Sequence, residues 1–102
     1  MLYRLRHEGG ADYVTGNWIA PDGTSARIAP GTVEMEPIAR EEIDGREVLV
    51  RWAIAIPSRG LEIETRPLNP RAWNDLSTEY WEGPVFFSGT HEGEGYLEMT
   101  GY

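Results

Sequence analysis

The sequence contains no cysteine and no lysine, and each absence narrows the classes of function. Without cysteine the chain cannot form disulfides or thiolate metal sites. All nine basic residues are arginines, and 17 acidic residues outnumber them to give a net charge of -8 at pH 7. Such a chain lacks the clustered positive charge that releases counter-ions from nucleic acid or binds an anionic membrane surface. We therefore expect no nucleic-acid partner.

Long apolar runs are missing as well. No stretch approaches the ~20 residues that a membrane-spanning helix needs. No signal peptide is visible, because Met1 leads straight into a predicted strand at Leu2–His7. The compartment therefore stays open between the cytoplasm and the periplasm. A strand at the first residue, in a chain short for an eight-stranded barrel, predicts that the 102 residues are one domain excised from a longer protein.

Turn-forming residues, in contrast, are abundant. The chain has 12 glycines and 7 prolines at short intervals, which is typical of an all-β fold with many short strands. The predicted strands are Leu2–His7, Tyr13–Ala20, Ser25–Ala29, Thr32–Arg40, Arg46–Pro57, Leu61–Pro67, Tyr80–Gly89 and Gly95–Gly101. The segment Leu68–Thr78 is predicted to be one long loop, with a short helix as the alternative. A bare edge at Leu2–Arg6 would favour a partner strand, for example in a homodimer.

Two turns predict the same three-stranded meander. Side chains alternate between the faces of a strand, so a correct register must place apolar residues opposite apolar residues. A two-residue loop at Asp44-Gly45 pairs Ile43 with Arg46, Pro37 with Trp52, Met35 with Ile54 and Val33 with Ile56. A turn at Pro57–Gly60 pairs Ile56 with Leu61, Ile54 with Ile63 and Trp52 with Thr65. Both registers give one apolar face, so we predict an antiparallel sheet that closes, partly or completely, into a β-barrel.

The last hairpin needs a different loop. A two-residue loop would place Phe87 opposite Glu98. A three-residue loop at His91–Gly93 instead pairs Phe87 with Leu97 and Val85 with Met99, with Gly93 in a left-handed bulge. We predict this bulge.

The candidate site residues are one carboxylate and several aromatic side chains. Glu82 follows Tyr80-Trp81, and a carboxylate beside tryptophan in a dry site would have a raised pKa and could donate a proton. The alternative is a rim carboxylate paired with arginine. Trp52, Tyr80, Trp81 and Tyr96 could line an apolar ligand cavity, or they could fill the core or contact another domain. Neither histidine belongs to a cluster with metal-ligand spacing, so no metal site is expected.

Four segments together resemble a known family, namely Leu2–Arg6, Val50–Pro57, Tyr80–Gly83 and Gly95–Tyr102. Their order and spacing are similar to the C-terminal part of the carotenoid 1,2-hydratase (hydroxyneurosporene synthase) and AttH-like family. The resemblance implies the second of two lipocalin-like β-barrels, with a missing N-terminal barrel as its partner. Hydratase members add water to a carotenoid double bond without a redox cofactor, so no cofactor is expected. Other relatives have no assigned activity, and related fungal and bacterial proteins cyclise polyenes.

Three functions follow from these observations and stay open at this point. The first is a lipocalin-like domain that helps to bind an extended apolar small molecule, of the carotenoid or polyene kind. The second is part of a hydratase or cyclase in which Glu82 protonates an alkene and tryptophan faces stabilise the cation. The third is a purely structural domain that docks the N-terminal barrel.

Overall fold

The computed structural model describes residues 1–102 and contains nine antiparallel strands, with no α-helix. The strands are β1 (Leu2–Leu5), β2 (Tyr13–Ile19), β3 (Ser25–Ile28), β4 (Glu34–Ile43), β5 (Arg46–Ile56), β6 (Leu61–Pro67), β7 (Trp73–Asp75), β8 (Glu79–Gly89) and β9 (Gly93–Thr100). The chain also has a 3-10 helix at Pro57–Arg59, and no helix has the length and apolar character that crossing a membrane requires. The predicted all-β antiparallel fold is confirmed.

The strands form two sheets. One has three strands in the order β1-β2-β3, and the other has six strands in which β4, β5, β6, β8 and β7 follow one another and β9 pairs with the far edge of β8. The two sheets bury a common core of eleven residues, which includes Ile28 from the small sheet and Trp52, Ile54 and Trp81 from the large one. The arrangement is an open, barrel-like pair of sheets and not a closed barrel.

The predicted meander is confirmed. Ile43 pairs with Arg46, Pro37 with Trp52 and Met35 with Ile54 in one hairpin, and Ile56 pairs with Leu61 and Ile54 with Ile63 in the next. Asp44 and Gly45 have φ values of 49° and 80°, the two positive angles that a type I′ turn requires. The β4–β5 ladder is irregular between Pro37 and Arg40, where Ala39 pairs with Arg51. Ile54 is buried in the core, and the half-buried Met35 and Ile63 pack against it, as the parity argument predicts.

The segment Leu68–Thr78 is not one uninterrupted loop, and its alternative, a short helix, is also wrong. Trp73–Asp75 form strand β7, in which Trp73 pairs with Trp81. The backbone N–H of Leu68 donates to the Pro84 carbonyl, so β6 and β7 lie one after the other along the same edge of β8. Sequence parity missed this strand because it has only three residues, too few to show an alternation of apolar and polar side chains.

The register predicted for the last hairpin is wrong. Phe87 pairs with Gly93 and Gly83 with Leu97, and Gly93 does not adopt a positive φ, so the predicted bulge is absent. The loop is wider because β8 continues to pair with β6 beyond Phe87. Thr90 closes that pairing, since its N–H donates to the Glu62 carbonyl and its Oγ1 accepts from the Glu62 N–H at 2.8 Å. The true register keeps the predicted parity, so the buried face of β9 is unchanged.

The two sheets meet along β1 without a shared ladder. β1 pairs only with β2, which makes it an edge as predicted, although it ends at Leu5. The Arg6 guanidinium reaches across to the carbonyls of Thr100 and Gly101, at the C-terminal end of β9. Arg4 similarly donates to the Met35 carbonyl of β4 at 2.5 Å. Arginine side chains thus bridge the seams where a closed barrel would have backbone pairs.

Candidate functional site

The five candidate site residues fall on opposite faces of the large sheet. Trp52 and Trp81 point into the core, whereas Tyr80, Glu82 and Tyr96 lie on the outer face. This division follows from alternation along β8, where Trp81 faces inward and its two neighbours face outward. The structure therefore does not bring the five residues together around one cavity.

Both inward-facing tryptophans are integrated into the core. Trp81 is fully buried, and its Nε1 donates to the Pro70 carbonyl at 2.8 Å. Trp52 is 5% exposed, and its Nε1 donates to the Leu49 carbonyl at 3.1 Å. The Arg4 guanidinium stacks on the Trp52 ring, 5.4 Å from the ring centroid. Their indole N–H groups already have partners, so these rings act here as packing groups.

The outward-facing candidates form a carboxylate and tyrosine cluster on β8 and β9. Glu82 lies directly opposite Glu98, and the Tyr80 hydroxyl donates to Glu82 Oε1 at 3.3 Å. Partial loss of hydration, together with the charges of Glu82 and Glu98, raises the pKa of both Tyr80 and Tyr96. Neither carboxylate is in an ion pair. The predicted rim pairing of Glu82 with arginine is thus not present.

A groove on the outer face of the large sheet was missed by sequence reasoning. It has a volume of about 590 Å³, and its floor is formed by Ala53 and Ala55 of β5. Its walls are acidic: Glu34 and Glu36 from β4, and Glu62 and Glu64 from β6. Nowhere in the chain do three or more histidine, aspartate or glutamate side chains converge to hold a metal ion. The signal in the sequence was a pair of alanines at alternate positions, set by the predicted register between two pairs of glutamates.

A second groove adjoins the first along β6 and β8. It has a volume of about 250 Å³, and Arg51, Arg66 and Phe86 are among the residues that line it. Neither groove includes Glu82, Tyr80 or Tyr96. Glu82, the carboxylate that the sequence analysis named as a candidate proton donor, therefore lies outside both grooves.

The small sheet exposes an apolar patch on the face turned away from the core. Tyr3, Leu5 and Tyr13 are 45%, 59% and 41% exposed, and Leu5 is the direct cross-strand partner of Tyr13. Arg27 donates to the Tyr13 hydroxyl at 3.3 Å and marks one border of the patch. Ile19, 61% exposed, lies farther along the same face of β2. We call Tyr3, Leu5 and Tyr13 the aromatic patch.

The comparison with family models matches the chain over residues 1–102 to the AttH-like family. The comparison with curated proteins and the comparison with solved structures each give no significant match. Because the family match spans the whole chain, the protein belongs to the AttH-like family.

Proposed function

We propose that the chain is a lipocalin-like module that helps an AttH-like protein to hold an extended apolar small molecule, and that this molecule lies on the aromatic patch. The observation that supports this proposal is the patch itself, in which the exposed side chains of Tyr3, Leu5 and Tyr13 neighbour one another on one face of the small sheet. Surface apolar residues that adjoin one another mark binding surfaces more often than isolated ones do.

The distribution of apolar side chains supports a surface and not an interior site. The core between the sheets is filled by the chain's own side chains. These include Trp52 and Trp81, which the sequence analysis named as candidate ligand contacts. The two outer-face grooves are lined in part by charged residues such as Glu34 and Arg66. An apolar molecule gains free energy in proportion to the apolar area that it removes from water. The aromatic patch offers that area.

A flat patch holds a ligand firmly only when a second surface covers the ligand's other side, because clefts bury most of a ligand's area. In this proposal the second surface is the N-terminal barrel of the parent protein. The proposal also separates binding from proton transfer, because Glu82 lies on the large sheet and the patch lies on the small one.

The test is a titration of the chain with retinol, a polyene whose binding quenches nearby tryptophan fluorescence. Trp18 lies on β2, the strand that also carries Tyr13, and it is the tryptophan of the small sheet that should report a ligand bound there. Leu5→Ser should weaken binding, whereas the matched control Leu76→Ser, at a residue that is 64% exposed, should not. Quenching that is equal in both variants would overturn the assignment of the patch.

A flat titration at saturating retinol, in the chain and in the two-barrel parent, would overturn ligand binding altogether. It would favour the purely structural function, in which the patch docks the N-terminal barrel directly. Crosslinking through a cysteine placed at Leu5 would then capture that barrel in the absence of any ligand.

A further inference from the structure

Strand β9 has a free edge along most of its length. It pairs with β8 on one side and with no strand on the other. Seven of its eight residues are exposed or half-buried, and only Met99 is buried. Unpaired N–H and C=O groups on such an edge form a template for another strand.

The groups that point outward can be identified from the ladder. The Pro84 carbonyl accepts from Leu68, on the side of β8 away from β9, and Pro84 pairs with Tyr96. In an antiparallel pair, hydrogen-bonded and non-hydrogen-bonded positions alternate. The even-numbered residues of β9 therefore direct their backbone groups away from β8. Consistently, the Thr100 carbonyl is one that Arg6 reaches, which leaves Glu94, Tyr96 and Glu98 with free edge groups.

The other edges of the two sheets are short or blocked. β1 and β3 have four residues each and β7 has three. β4 has ten residues, but Pro37 and the register shift that follows it interrupt its edge. Proline and irregular pairing are common protections against strand addition. β9 contains no proline, and its ladder with β8 is regular from Phe87 to Tyr80.

The side chains beside the free edge specify the chemistry of an added strand. Glu94, Tyr96 and Glu98 share the outer face, all three are exposed, and neither glutamate has an ion-pair partner. Glu82 adds a third carboxylate directly opposite Glu98. On the inner face the edge presents Gly95 and the half-buried Leu97. Opposite charges and apolar pairs stabilise neighbouring strands when they are directly opposed.

We propose that β9 is a docking edge for an extended, basic segment of another protein, which adds as a seventh strand to the large sheet. The segment would place Arg or Lys opposite Glu94 and Glu98, an aromatic residue opposite Tyr96, and apolar residues at the positions between them. A second copy of the chain is a poorer occupant. Two-fold pairing of β9 around Tyr96 sets Glu94 of one copy against Glu98 of the other, and each copy carries a net charge of -8.

The test uses a short capped peptide, Thr-Arg-Val-Tyr-Val-Arg-Thr, carrying a fluorophore, with binding followed by anisotropy. Tyr96→Pro removes one free edge N–H and leaves the ladder with β8 intact, because proline is tolerated at edges where its missing N–H would face solvent. Tyr96→Val is the matched control, since it also lacks the ring but keeps the N–H. The proline variant should bind at least about fivefold more weakly than the valine variant, the effect of one lost hydrogen bond. Equal affinities would overturn the proposal.

Backbone amide chemical shifts of the wild-type chain provide a second measurement that does not depend on the proline variant folding. Adding the peptide should move the amide signals of Glu94, Tyr96 and Glu98, and a peptide with glutamate in place of arginine should not bind. Shifts confined to other strands would overturn the proposal. So would a homodimer through β9 that forms without peptide and excludes it.

Discussion

Replacement of Trp81 by phenylalanine separates a core role from a ligand-contact role. The indole is fully buried, and its Nε1 donates to the Pro70 carbonyl at 2.8 Å. The hydrogen bond contributes about 1 kcal/mol net. The smaller ring leaves a cavity and loses contacts worth roughly 1–2 kcal/mol. Trp81→Phe should therefore reduce the free energy of unfolding by about 2–3 kcal/mol. Trp81→Ala would cost about 3–5 kcal/mol, which approaches the whole stability of a marginal domain.

Trp73 is the matched control because its indole N–H is buried without a hydrogen-bond partner. Its ring lies 5.0 Å from the Arg46 guanidinium carbon and is half-buried. Trp73→Phe removes an unsatisfied donor, which offsets part of the lost packing, so its effect should stay within about 1 kcal/mol. Urea and thermal unfolding followed by circular dichroism measure both variants. Each kcal/mol corresponds to roughly 4–8 °C in Tm for a domain near this size.

Two results would refute this reasoning. One is a Trp81→Phe variant that is no less stable than Trp73→Phe. The other is a Trp81→Phe variant of wild-type stability whose retinol affinity has fallen, because Trp81 would then be a ligand contact and not a core residue.

Three further changes test local parts of the structure. Asp12→Asn should lower Tm at neutral pH. The His7 N–H and the Arg4 guanidinium both donate hydrogen bonds to the Asp12 carboxylate and lower its pKa below 3.8. That stabilisation is complete above the unfolded-state pKa and is lost as the pH falls through the lower folded-state value, so the Tm difference should close at acidic pH. A pH-independent difference would contradict it. Gly89→Ala should destabilise the chain by about 1–3 kcal/mol in urea unfolding, since Gly89 has a φ of 138° and faces a β6 carbonyl; an unchanged midpoint would disprove the strain. Glu82→Gln should lower the pKa of Tyr96 in an ultraviolet absorbance titration, because one of the negative charges that raise it is removed. The same variant should leave retinol binding unchanged, and a loss of binding would return Glu82 to the ligand site.

Local turn chemistry and side-chain parity were sufficient to predict the centre of the large sheet. Asp44-Gly45 favours a turn with two positive φ values, and the structure has both. Once that turn is fixed, the pairs Met35 with Ile54 and Ile54 with Ile63 follow by counting. The outward position of the glutamates on β4 and β6 follows from the same count.

The β8–β9 register could not be obtained in this way. Registers that differ by an even number of residues place the same side chains on the same face, so parity does not distinguish them. What fixes the hairpin is a non-local contact, the pairing of Thr90 with Glu62 on β6. The ring of Phe87 also lies 2.6 Å from the position that a Cβ on Gly93 would occupy, which explains the glycine without a left-handed bulge.

The candidate site was harder to predict because each of its residues could lie on either face of the sheet. Tyr80, Trp81 and Glu82 are consecutive, and alternation sends Trp81 to one face and its neighbours to the other. The pairing of Trp81 with Trp73 and Met99 establishes which face is buried. The aromatic patch likewise depends on which strands become neighbours, whereas the acidic groove lies on the meander whose register was predicted.

The open seam between the sheets accounts for where recognition can occur. Arg6 satisfies two carbonyls at the C-terminal end of β9, where a closed barrel would have a full ladder with β1. A guanidinium donates hydrogen bonds but accepts none, so it cannot satisfy the edge N–H groups of Glu94, Tyr96 and Glu98. In the isolated chain water must serve those groups, and only a strand supplies donors and acceptors at their spacing. The interior is filled by tryptophan and aliphatic side chains, so both proposed partners, an apolar molecule and a basic strand, would bind on the outside of the sheets.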